Sequence, residues 1–476
     1  MTWGKLQPFR KASFPVFPGM LAALGPGIVW MALAQGSGEL IWWPYTVAKY
    51  GLGFLFLLAP ACLLQYPLNY HIGHYTLVTG ESIFQGFIRL NRLFALGLWA
   101  LMAVSFLWFG AFASAGGTAL AELTHFPAHW GVRGQTLFWA YASITIFLAA
   151  IFLSRIIYVV IEKFMMAVAL ITLVGLVWAC LNHEVLSKTP AFLKAIFVPQ
   201  RPLPRPWDPD DATKLLTAIT FAGLGGFWTL FYSYWLREKG AGMAHHMGHI
   251  TGLIPGKTEV IPEAGFVCEG TAQDVTQWKR WRRFLLADSS MGIIGNLLTT
   301  FMTCLLAYAL LFPKGLLPSE YQLAVVQSRF FEVSWGIVGR IIFLIVAAAF
   351  LSDTWLATVD AVSRIHTDFF HNYFPAAKKI SVRSWYFICL VALTVITSAT
   401  VVLEAPGPLI LLSAVIGFIG TLIFSAALLF LNYRILPKFV PQAMCPGRFA
   451  FLLQFLACAA YAFLAALYLW QKGRYL

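Results

Sequence analysis

The chain has 476 residues, of which 59% are apolar and 11% charged, and its formal net charge is +13. Soluble domains carry about 25% charged residues, and the mean hydropathy here is +0.74, so a soluble globular protein is excluded and a polytopic membrane protein expected. The basic excess then reads as a positive-inside bias facing anionic lipid, and no nucleic-acid partner is expected. The seven cysteines are scattered, with no CxxC pair, which argues against a disulfide framework or a thiolate metal site.

The amino terminus, MTWGKLQPFRKASFPVFPG, is basic and runs into an apolar stretch too long for a signal peptide, so it reads as a cytoplasmic tail. Eleven spans follow, near residues 18–50, 51–79, 93–115, 136–154, 160–181, 212–236, 285–312, 335–353, 385–403, 407–432 and 448–470. With the amino terminus inside, the inner segments hold roughly 21 Lys plus Arg and the outer ones roughly 12. That places the amino terminus in the cytoplasm and the carboxyl terminus outside an inner (plasma) membrane. The proline-rich segment 182–211 is expected to cap the outer face. Residues 237–283, with HHMGH at 245–249 and KRWRR at 279–283, are expected on the inner side.

The first span is about 33 residues long where about 20 suffice, and it is interrupted near its midpoint by Gln35, Gly36, Ser37 and Gly38, followed by Glu39. The sixth span carries Gly223, Gly225 and Gly226 near its middle. These are corresponding positions if spans 1–5 and 6–10 are two halves. Unwound backbone cannot face lipid and is tolerated where it lines a polar cavity. Paired interruptions therefore point to a transporter of inverted repeats, about 18–181 and 212–432, with an extra helix at 448–470, all in one transmembrane domain of residues 1–476. The alternative is that the glycines only let helices pack closely. Trp30, Trp42, Trp43, Trp228, Tyr232 and Tyr234 flank the two breaks, and such rings hold an organic ammonium or simply pack.

Several stretches resemble the Nramp family of proton-coupled divalent metal transporters. GPGIVWMALAQGSGE (25–39) is similar to its first helix, LLQYPLNYHIGHYTLVTGES (63–82) to its second and IEKFMMAVALITLVGLVWA (161–179) to its fifth. LADSSMGIIGNLLTTF (286–301) is similar to its seventh, and the likeness continues through 341–365 and 409–436. The resemblance implies a LeuT-like 5+5 inverted repeat with broken helices 1 and 6 and an eleventh helix. It also marks departures. The family's metal-binding aspartate falls on Gly36 and its asparagine on Glu39. The sixth-helix methionine falls near Gly225, and the two histidines near Phe227 and Tyr232. Residues 93–115 hold no acid where the family has one. Gly-Ser-Gly at the first break, with FAGLGGFW (221–228), also resembles the amino acid–polyamine–organocation superfamily, in which amides at half-helix ends hold a carboxylate.

Two substrate classes stay open. One is a divalent cation such as Mg²⁺ or Mn²⁺, held by Glu39, Gln35, and carbonyls at Gly36 and Gly223, because hard ions take oxygen ligands. The other is a small amine-bearing organic molecule held by half-helix amides, Glu39, and Trp228 and Tyr232. A sensor that keeps the fold without turnover is a third option. Glu39 and Asp288 are the expected proton-coupling groups, with transport slowing as pH falls on the uptake side. His71 and His74 are expected at a solvated inner end of span 2, and Asp353 and Asp360, which share a helix face, to face the cytoplasm or else to line an exit path. No soluble-enzyme motif is present, and neither enzyme activity nor a cofactor is expected.

Overall fold

A computed structural model describes residues 6–36, 40–252, 261–318 and 322–473. The chain is an all-α integral membrane protein. Nine helices among the described residues are long and apolar enough to cross a membrane. The first two spans complete the set. Span 1 consists of Pro26–Ala34 and Leu40–Tyr50, and span 2 of Leu58–Leu63 and Gln65–Thr79.

Local chemistry sets the ends. Pro26 opens span 1 where a missing amide costs nothing. Gly80 closes span 2 at φ 68°, a conformation open to glycine. Reciprocal capping boxes at Ser82–Gln85 and Thr271–Asp274 start the helix after span 2 and span 7.

Spans 3, 7, 8 and 10 run Arg92–Thr124, Ala272–Lys314, Arg329–Tyr373 and Pro406–Lys438, well past the limits expected from hydropathy. Their polar extensions stay helical because they are paired inside the protein. Asp360 accepts from Arg364 (2.9 Å) and Tyr386 (2.6 Å), and Asp368 from Arg237 and Tyr234 (3.1 Å each). Gly336, at φ 56°, kinks the start of span 8. The lengthened span 3 also gains an acid, Glu122, which pairs with Arg340 at 2.5 Å.

Span 6 is the centre of the bundle: 94% of its most apolar window is buried, against 17% for span 11. Trp30, Trp43, Trp228, Trp235 and Trp355 fill the interior, while Ile146, Leu170 and Phe463 face outward on spans 4, 5 and 11.

Charge pairs tie each end of the bundle. At one end the 182–211 segment folds onto the turn after span 1. Lys49 bridges Asp208 (2.8 Å) and Asp211 (2.6 Å), and Tyr45, Tyr50 and Lys214 also converge on Asp211. The Lys49 ammonium holds the Asp208 carboxyl below its ordinary value. At the other end Lys239 pairs with Glu162 (2.8 Å), Arg364 with Glu238 (2.5 Å) and Arg89 with Glu81 (2.5 Å).

The amino-terminal tail lies at this second end. Strand β1 (Arg10–Lys11) pairs in parallel with β2 (Phe266–Val267), and the amides of Phe14 and Phe17 donate to Asp274 and Gln277. The tail and residues 261–283 therefore share one side of the molecule. In a cysteine-depleted background, Arg10→Cys and Thr276→Cys should resist an impermeant maleimide in intact cells, and Lys194→Cys should react. Labelling of Thr276→Cys would reverse the orientation. Opposite behaviour of Arg10→Cys and Thr276→Cys would contradict the strand pairing.

Candidate functional site

The helix of span 1 ends at Ala34 and widens into a π turn at Gln35–Gly36 before resuming at Leu40. Ser37, Gly38 and Glu39 lie outside the described residues. Gly36 must be glycine for steric reasons, since a Cβ there would overlap Thr354 Oγ1 and the Phe350 carbonyl of span 8. Gln35 is buried, and neither side-chain polar atom has a partner among the described residues. Beside it is a cavity of about 10 Å³, roughly the room of one water, lined by Thr172, Leu176, Thr299, Thr300, Thr303 and Phe350.

The hydrogen-bond roles in this lining are fixed. Thr172 donates to Val168 O (2.8 Å), Thr299 and Thr300 to Asn296 O (2.8 and 2.9 Å), and Thr303 to Thr300 O (3.0 Å). Thr354 donates to Phe350 O at 3.1 Å. Each of these hydroxyls donates into its own helix, so at Thr172, Thr299 and Thr303 what remains at the oxygen is acceptor capacity. Next to Thr354, and one turn on from Phe350, Asp353 is fully buried, with no partner for either oxygen among the described residues. Its expected exposure to the cytoplasm is therefore corrected, and so is that of Asp360, which Arg364 draws inside.

The sixth-span break is real and closely packed. Helix Asp211–Phe221 stops, Gly223 and Leu224 take φ of 73° and 65°, and a 3₁₀ turn, Gly226–Leu230, leads into Phe231–Glu238. The freed backbone is satisfied by neighbours. Trp30 Nε1 donates to Gly223 O at 2.8 Å, and the Gly223 amide donates to Asn296 Oδ1 at 3.1 Å. Gly225 is pressed on the Thr220 carbonyl and Gln65, and Gly226 on Gly417. Gln65 in turn donates to Tyr461 of span 11 at 2.6 Å, a contact with no mark in the sequence pattern.

The two breaks thus approach each other through Trp30, but the cavity at Gln35 opens toward spans 5, 7 and 8. Trp228 is packed among Phe106, Phe112 and Phe221 and donates to Thr358. Tyr232 packs edge-on against Trp30 (5.1 Å) and donates to Asp288 Oδ2 at 2.8 Å. Asp288 is buried against the backbone of Gly27, where span 1 starts. Along span 7, Asp288, Ser289, Gly292, Asn296, Thr299, Thr300 and Thr303 are all buried at three- and four-residue spacing, so they form one polar face. The sequence reading reached the Asp288 end of that face and missed its threonines, which look like ordinary helix residues until their partners are known.

The histidines are elsewhere. His71 and His74 are buried, bonded to Pro67 O (2.7 Å) and Met444 O (2.8 Å), which corrects their expected solvation. His246 contacts Ser13 O of the tail. Among the described residues no group of three His, Cys, Asp or Glu is placed to hold a metal.

No family model matches the sequence. A stretch of 73 residues is 36% identical to an uncharacterised protein of Pasteurella multocida, covering 15% of this chain and 17% of that relative. The fold is similar to a mutant of the Eremococcus coleocola manganese transporter (TM-score 0.64, 12% identity, 96% of this chain and 88% of that one). It is also similar to MhsT in complex with L-phenylalanine (TM-score 0.51, 14% identity, 95% and 99%). The chain has a LeuT-like transporter fold. At such identities the likeness carries the fold alone.

The close packing of the sixth-span break gives a direct test. Gly225→Ala should lower thermal stability in detergent by about 1–3 kcal/mol, because the new methyl meets backbone that cannot move aside. Gly97→Ala, with nothing within 4 Å of its Cβ, should be neutral or slightly stabilising. Equal melting of the two variants would count against the described packing.

Proposed function

We propose that this chain is a secondary transporter that moves a small hard cation, with Mg²⁺ or Mn²⁺ the leading substrates, across the inner membrane. The observation that supports this reading is the acceptor-rich lining beside the first break. Threonine oxygens whose protons go into their own helices and the Gln35 amide oxygen, which has no partner among the described residues, line a space the size of one water, and the buried Asp353 carboxylate, likewise without a partner among the described residues, lies one turn along span 8 from the lining residue Phe350. Such a set suits a hard ion and offers no thioether to a softer one. Gln35 and Gly36 hold the inner end of this site, and Glu39 adds a carboxylate where the second half of span 1 begins. Gly223 and Tyr232 join when the sixth-span break opens. Asp288 and Glu39 carry the coupled proton. The cytoplasmic placement of the amino terminus belongs to the same proposal.

An amine-bearing organic substrate is the competing reading. Drug-sized ligand pockets occupy about 300–1,000 Å³, whereas the space at the break is near 10 Å³ and Trp30 and Tyr232 are in edge-to-face contact. Calorimetry of purified protein against a metal panel and an amine and amino acid panel decides the class. Heat from the organic panel alone would overturn the cation assignment. Flux into liposomes holding only this protein separates a carrier from a sensor.

Two variants test the ligands. Asp353→Asn should weaken cation binding by about tenfold or more, the worth of one charged ligand. Wild-type affinity in that variant removes Asp353 from the site. Transport should slow as pH falls on the uptake side, because a proton on Glu39 excludes the cation. Glu39→Gln should abolish that pH dependence. A wild-type rate and pH profile in Glu39→Gln would leave Glu39 as a helix cap.

A further inference from the structure

A second feature lies on the membrane flank, on the amino-terminal side of the bundle. Spans 2, 7 and 11 enclose a groove of about 140 Å³. Its walls are Tyr66, Pro67 and Tyr70 from span 2, Leu286 from span 7, and Phe449, Ala450 and Leu453 from span 11. The guanidinium of Arg282 stands at its rim beside the Tyr70 hydroxyl. Arg282 belongs to the KRWRR run, in which Lys279, Arg280, Arg282 and Arg283 are exposed while Trp281 turns inward to donate to Pro15 O. Arg448, exposed at the first turn of span 11, follows the lining residue Gly447. Among the described residues none of these five cations has a carboxylate partner.

An apolar trough that ends in uncompensated positive charge at the level where a span leaves the membrane matches one kind of molecule. We propose that the groove is a binding site for an anionic phospholipid. The phosphate sits on Arg282 with Arg448 nearby, and one acyl chain lies along Leu286, Ala450 and Leu453. A positioning run that only orients span 7 needs the charge but not the groove, and a bulk lipid annulus needs neither. The site also has a route to the interior. Tyr66, in its wall, bonds the Leu286 carbonyl (3.2 Å) and Ser290 (3.1 Å), which bracket Asp288. Occupancy would therefore brace the seam between spans 2 and 7 at the coupling aspartate. The binding proposal itself does not depend on the substrate assigned above.

Native mass spectrometry of the purified full chain tests it, with phosphatidylglycerol and phosphatidylcholine of identical chains as probes. Phosphatidylglycerol should be retained in preference to phosphatidylcholine. Arg282→Ala should cut its retention about fivefold, the share of one basic residue at a lipid surface. Ala450→Trp, which fills the groove and leaves every charge in place, should also reduce retention. Lys194→Ala, at the opposite end of the molecule, should change nothing. Thermal unfolding of each variant controls for folding, and if Arg282→Ala fails to fold, Ala450→Trp decides. Equal retention of the two lipids, or undiminished phosphatidylglycerol binding in both groove variants, overturns the site. Displacement of the lipid by millimolar inorganic phosphate would mark a free-anion site and overturn it as well.

Discussion

The carbonyl of Gly223 lies in mid-membrane, outside any helix ladder, and the Trp30 indole occupies one of its lone pairs. An unmet backbone group in hydrocarbon costs several kcal/mol, so span 6 can break there only because a donor arrives from span 1 and an acceptor, Asn296, from span 7. Three elements are fixed by one broken helix. Trp30 sets the height of the first half of span 1, Asn296 sets the rotation of span 7, and that rotation turns Asp288 toward Tyr232 and the threonines toward Gln35. A rigid-body shift of span 6 must exchange these two bonds for others. A ligand able to take the Gly223 carbonyl would favour that exchange, because it replaces the indole rather than adding to it.

Both ends of the bundle are held by charge, and the two ends differ. At the cap, Asp211 gathers Lys49, Lys214, Tyr45 and Tyr50, a mixed set around one carboxylate with two cations. At the tail side, separate pairs link span 6 to spans 5 and 8, and Ser82 joins Asp368 from the end of span 2. Buried pairs are weak sources of net stability, since desolvation offsets the attraction, but breaking one is expensive. Such contacts define discrete closed arrangements better than they strengthen them.

The sequence carried the architecture well and the site unevenly. Length and hydropathy located the spans, and the glycines near 36 and 223–226 marked the interruptions, because Gly36 and Gly225 leave no room for a Cβ and Gly223 and Gly226 take positive φ. Span ends were misjudged where polar residues such as Asp360, Arg364 and Asp368 stay helical and buried by pairing across the bundle. Hydropathy sees only the cost of those groups, not their partners. His71 and His74 were misplaced for the same reason, since each has one ring nitrogen bonded inside the protein, His71 to a carbonyl four residues back and His74 to one from a distant loop. Asp353 had no local signature separating it from Asp360. The difference is whether an arginine lies one turn on and faces the same way.

The threonines carry the last step. A membrane threonine normally returns its proton to the preceding turn, and taken singly Thr172, Thr299, Thr300 and Thr303 do only that. Together, around one small space, the same habit has a collective result: donors are withdrawn and oxygens are left. The family resemblance places an aspartate and a thioether at positions that here are Gly36 and the neighbourhood of Gly225. Both glycines are sterically required, so neither side chain could be introduced there without moving backbone. Under the proposed cation reading, the charge must come from elsewhere. Asp353 is fully buried on the helix against which Gly36 packs, and among the described residues neither of its carboxylate oxygens has a partner. A cation beside the first break would compensate that carboxylate, which ties the proposed binding of a hard ion to the stability of this end of span 8.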